Sequence, residues 1–120
     1  MAKNFIQPGK VISFTPQSAV VSGQVVVIGQ TLGVALTDIA GGVAGEAQIE
    51  GVFEVPKVAA AVFGNGETLT WDASAGAFDD NAATPATGDI TGPSAVAFKA
   101  GANAETTALV KFTGVPGTKT

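Results

Sequence analysis

The chain has no cysteine, no histidine, no arginine and no tyrosine. Without cysteine no disulfide framework can form, and nothing speaks against an intracellular origin. Without cysteine or histidine, nucleophile-and-base catalysis would fall to serine and lysine. The serines at positions 13, 18, 22, 74 and 94 sit in no G-x-S-x-G pattern, so an enzyme is not expected. Cationic side chains are limited to six lysines, at 3, 10, 57, 99, 111 and 119, spread singly along the chain. Nucleic-acid binding relies on clustered cations and on the arginine fork, so no nucleic-acid partner is expected. Long apolar runs are missing too. Val25–Ile28 and Val58–Phe63 fall far short of the ~20 residues that span a bilayer, and no membrane partner is expected. The start, Met1–Lys10, lacks a hydrophobic signal region, which fits synthesis in a cytoplasm.

Charge of either sign is scarce. Asp, Glu and Lys make up 13% of the 120 residues, about half the usual ~25%, whereas apolar residues reach 46% and the net charge is −4. Such a chain is too apolar for disorder and carries fewer charges than a soluble monomer uses to coat itself. The shortfall implies surface covered by other subunits. The acidic residues also form no ligand set. Glu50 and Glu54 would lie ~13 Å apart along a strand, beyond the ~5–9.5 Å of paired glycosidase carboxylates. Asp79, Asp80 and Asp89 lack the spacing of a calcium loop. Gly41–Gly45 is followed by no amphipathic helix, and the Gly114–Thr120 tail lacks P-loop spacing, so neither is a nucleotide site. No cofactor and no metal are expected.

What the chain does have is alternation. From Ala47 to Lys57 the odd positions Ala47, Ile49, Gly51, Phe53 and Val55 are apolar, while the even positions Gln48, Glu50, Val52 and Glu54 are polar except for Val52. That period of two predicts one strand with an oily and an acidic face, closed by Pro56. Shorter strands are predicted at Val11–Thr15, Gln24–Ile28, Gly33–Ala40 and Thr68–Asp72, the last placing Leu69 and Trp71 on one face. Ala95–Lys99 would set Val96 and Phe98 on one face, and Thr106–Phe112 would close the domain with Ala108, Val110 and Phe112 alternating against Thr107, Leu109 and Lys111. Val58–Phe63 reads as a helical turn or a bend. Turn signals recur about every ten residues without a sustained 3.6-residue period, which predicts a small single-domain all-β barrel or sandwich. Its divisions are an N-terminal arm at 1–10, a β-domain at 11–113 and a C-terminal tail at 114–120. Ile49, Phe53, Val55, Pro56, Leu69 and Trp71 are expected in the core or a subunit interface. The arm would dock Phe5 and Ile6 on a neighbour.

Three stretches taken together, MAKNFIQPGK at the start, GVFEVPK at Gly51–Lys57 and LTWDA at Leu69–Ala73, with the closing SAVAFKAGANAETTALVKF, carry a family resemblance. In order and spacing the chain resembles the DUF2190 family of phage capsid cement, or head decoration, proteins. The resemblance implies a β-tulip-like body that forms a homotrimer on the outer surface of a tailed-phage head. Its partners would be the major capsid protein and copies of itself, and its effect would be to brace the expanded shell. Asn4, Phe5, Ile6, Gln7, Pro8, Gly9 and Val11 would then be the arm's contacts with capsid or neighbour. The alternative is a virion-displayed module that binds a host surface or glycan through an exposed Trp71 and the Asp79–Gly88 loop.

Overall fold

Runs of valine, isoleucine and threonine between glycine turns fold as strands, because branched side chains suit a pleated, half-buried surface. The structure, a computed structural model, describes residues 3–4 and 6–120, so the expectation for Phe5 lies outside the described residues. Its strands are β1 (Val11–Phe14), β2 (Val25–Ile28), β3 (Thr31–Ala35), β4 (Gly45–Gln48), β5 (Glu50–Pro56) and β6 (Thr70–Asp72). They continue as β7 (Ala77–Asp79), β8 (Ile90–Thr91), β9 (Ala95–Ala97), β10 (Thr107–Thr113) and β11 (Thr118–Lys119). No helix occurs among the described residues, and Val58–Phe63 passes through a turn at Ala59–Ala60 instead. The strands form three antiparallel sheets in the orders β1-β4-β3-β2, β5-β10-β9 and β11-β8-β6-β7. The all-β expectation holds, but the sheets are not closed into a barrel.

The stretch expected to be one continuous strand is two. β4 belongs to the first sheet and β5 to the second, and Ile49 sits at the crossing with its N–H donating to the Lys10 carbonyl at 2.8 Å. Gly51, with φ at +137°, takes a backbone conformation closed to most side chains, which lets the chain re-aim within three residues. The alternation survives the turn: Ala47, Ile49 and Val55 are buried, Phe53 is half-buried, and Val52 and Glu54 are exposed. Pattern fixes which way side chains point, whereas sheet membership depends on partners distant in sequence.

The sheets converge on an aromatic chain. Trp71 packs edge-on against Phe78 at 5.0 Å between ring centroids, Phe78 against Phe112 at 5.9 Å, and Phe112 against Phe53 at 5.7 Å. Val25, Leu32, Val34, Val55, Leu69, Ile90 and Val110 fill the space around them. A second, smaller cluster lies on the other side of the first sheet, where Val26, Ala35 and Ala47 meet Val20 and Ile39. Val20 and Ile39 reach across from two loops and exchange backbone hydrogen bonds of 2.9 Å in both directions. The first sheet is thus apolar on both faces, and the chain itself covers both.

In β9 the expected pair, Val96 and Phe98, does share a face, but it is the outer one. The side chains turned inward are Ala95 and Ala97, both buried, because only small groups fit beneath Phe112 and Val110. The 114–120 segment is tied to the body. β11 pairs with β8, Gly117 N–H donates to the Gln30 carbonyl at 2.8 Å, and Gly88 N–H donates to the Thr120 carbonyl at 2.7 Å.

Candidate interaction surface

Polar side chains capable of chemistry are mostly committed to holding the fold. Lys57 is 4% exposed, and its ammonium donates to the carbonyls of Val58 at 2.9 Å, Ala59 at 3.2 Å and Glu105 at 3.2 Å. Three protons meet three acceptors, so the cation is fully satisfied inside the protein. The Phe63 ring, 5.9 Å away, adds a cation–π contact. Ser94 Oγ, also buried, accepts from Leu32 N–H at 3.0 Å. The one formal nucleophile–base combination, serine with lysine, is thereby locked in structural roles at these positions. Sequence reading counted Lys57 among six lysines spread singly along the chain and gave it no role of its own. The available signal was phase, since Lys57 continues the inward odd series of Ile49, Phe53 and Val55.

The acidic loop is held in the same way. Asp89 Oδ1 accepts from Ala73 N–H and Oδ2 from Ala86 N–H, both at 3.0 Å. Asp80 Oδ1 accepts from Ala82 N–H at 3.0 Å, and Glu67 Oε2 from Asn81 N–H at 3.1 Å. Asp72 holds the following turn: the Ser74 hydroxyl, then the Ala75 and Ser74 amides, keep its carboxyl below the ordinary aspartate range against a small opposing push from burial. Because each bond favours the ionised form, the turn's support is complete above the unfolded-state value and is lost as pH falls through the folded one. No group of three or more Asp or Glu residues close enough to hold a metal occurs among the described residues. No helix of the described residues is long and apolar enough to cross a membrane.

Trp71 borders a groove of about 460 Å³ lined also by Val21, Val25 and Pro56. At 7% exposure and packed against Phe78, it offers too little ring to stack a sugar. The core or interface candidates separate accordingly. Ile49, Val55, Leu69 and Trp71 are interior, Phe53 is half-buried in the same core, and Pro56 is exposed at the end of β5.

Several large apolar side chains remain at the surface. Ile6, on the arm, is 87% exposed, the highest value among the large hydrophobic residues described, and Gln7, Pro8 and Gly9 beside it are exposed. Asn4 is exposed as well, and Val11 is half-buried at the start of β1, where the Gln7 side-chain amide donates to its carbonyl at 2.9 Å. A second apolar area lies on the outer face of the β5, β10 and β9 sheet. Register places Val52, Lys111 and Val96 in one row across it, and Glu54, Leu109 and Phe98 in the next. Phe98 is 53% exposed and Val52 is 42% exposed, large values for side chains in or beside a strand. Sequence reading put Val96 and Phe98 on one face without saying which; the packing side is the alanine one.

A search of the curated proteins finds no match to the chain. A family model described as phage cement protein matches residues 6–112, from the arm through the inward aromatic end of β10. That span takes in the three sheets save the last paired strand, the locked interior lysine and both apolar surfaces, and on it the chain belongs to the phage cement protein family.

Proposed function

We propose that this chain decorates the outer surface of a tailed-phage head as a homotrimer, seated where capsid subunits meet, and that it stabilises the expanded shell. The observation that carries this reading is the family match over residues 6–112. The exposed apolar side chains support it, since Ile6, Val52 and Phe98 offer oily area to neighbours. The mechanism is linkage. A subunit that binds the expanded lattice and not its precursor stabilises that lattice by about 2.7 kcal/mol per site at a free concentration of one hundred times Kd. Repeated over a symmetric shell, modest contacts add through avidity without any single tight site.

The arm is the proposed contact with the major capsid protein. Phe5 and Ile6 supply the apolar area, while Pro8 and Gly9 set the turn by which the arm leaves β1. Removing residues 1–9 is expected to weaken binding to undecorated heads by at least about tenfold in a cosedimentation assay. The far-ultraviolet circular dichroism of the truncated chain should match that of the full chain. Binding at full strength after truncation refutes the arm's role.

A further inference from the structure

We infer that the outer face of the β5, β10 and β9 sheet is the surface on which copies of this chain meet one another. The first sheet shows what this protein does with a sheet that is apolar on both sides: loops carrying Val20 and Ile39 fold over the second face. The β5, β10 and β9 sheet is built alike, with Phe53, Val110 and Phe112 inward and Val52, Val96, Leu109 and Phe98 outward. Nothing among the described residues closes over Phe98 and Val52.

Charge identifies the occupant. The strands and the loops at their ends bring Glu50, Glu54, Glu105, Lys10, Lys99 and Lys111 to this part of the surface, three of each sign, on a chain whose net charge is −4. The rest of the molecule therefore carries all of the net negative charge, so two copies that face each other here avoid the net repulsion the remaining surface has on average. Lys111 makes the match more specific. It stands in the middle strand with Val52 on one side and Val96 on the other, so covering the row leaves its ammonium in need of a carboxylate. A second copy brings Glu50 and Glu54 on the same face. Three strands ~4.8 Å apart and seven residues of ~3.3 Å give a face of roughly 300 Å², against about 800 Å² per partner in a stable complex. The contact is consequently weak alone and is strengthened by seating on a lattice. The number of copies rests on the cement reading; the surface does not.

Because the chain has no cysteine, a single introduced one is unique. Val52→Cys and Thr107→Cys lie on this face, and Val43→Cys, similarly exposed on a loop beside the first sheet, serves as the control. A short bismaleimide is applied to each variant in concentrated solution and on decorated heads, and the products are read by mass. Covalent species made only of this chain are expected from Val52→Cys and Thr107→Cys in at least one setting. They should be about tenfold more abundant than from Val43→Cys, and Lys111→Glu added to either variant should abolish them. No such species in either setting, adducts with the shell protein alone, or equal yield from Val43→Cys overturns the inference. Cosedimentation of the same samples with heads reports separately on the cement reading.

Discussion

Replacing Phe78 with alanine is expected to lower the stability of the domain by about 3–5 kcal/mol, the range for truncating a buried aromatic ring in a core that cannot collapse onto the gap. Phe78 is fully buried at the middle of β7 and joins Trp71, at 5.0 Å, to Phe112, at 5.9 Å. Trp71 belongs to one sheet with Phe78 and Phe112 to another, so the ring is a shared wall between sheets. Neighbours anchored in separate sheets cannot move inward together, which puts the loss toward the upper end of the range. At on the order of 4 °C per kcal/mol for a domain of this size, the melting temperature should fall by about 12–20 °C. Phe78→Leu keeps most of the volume and should lose about 1–2 kcal/mol. Denaturant unfolding followed through the single tryptophan checks both values, because Trp71 touches the altered site. A loss under 1 kcal/mol for Phe78→Ala contradicts this account of the core.

The second large effect concerns Lys57. Methionine in its place keeps the length of the side chain and removes the donor. Two of the three carbonyls retain another partner, since Val58 also accepts from Ala61 N–H at 3.0 Å and Ala59 from Ala104 N–H at 2.7 Å. The Glu105 carbonyl is the one that loses the most. Charge-assisted bonds contribute about 1.5–3 kcal/mol each and removing an ammonium from a buried site returns part of that, so a net loss of about 2–3 kcal/mol is expected. The damage should be local as well as global. Lys57 ties the 57–59 turn to the 101–106 loop, where Phe63 and Gly101 also exchange backbone bonds of 3.0 and 3.1 Å. The Gly101 position has no room to rearrange, because a Cβ there would lie 2.5 Å from the Phe63 ring. Amide hydrogen exchange at Phe63, Gly101 and Ala104 should therefore speed up in Lys57→Met before the rest of the protein responds. Unchanged exchange at these amides, with an unchanged melting temperature, contradicts the clasp.

Much of the fold was readable because strands announce themselves locally. The alternation through Ala47, Ile49 and Val55, and again through Ala108, Val110 and Phe112, identified buried faces that the structure keeps. Four features were not readable, each for a physical reason. The break at Ile49 depends on which strands lie alongside: β1 and β3 for β4, β10 for β5. The orientation of β9 was hidden because alanine is the residue that fits under Phe112, while the larger Val96 and Phe98 face outward. Lys57 was hidden because its acceptors come from the adjoining turn and from Glu105, 48 positions along the chain. The outer face of the second sheet was illegible for the same reason as β9. Composition hinted at it, since a chain with 13% charged residues has little to cover itself with, but composition does not say where the bare area falls.

Heads assembled without this protein, then mixed with the purified chain and heated in the presence of a DNA-binding dye, test the central claim most directly. The account predicts that DNA release moves to higher temperature as the chain is added and stops moving once the shell is saturated. Release curves that superimpose with and without a saturating amount of the chain contradict it.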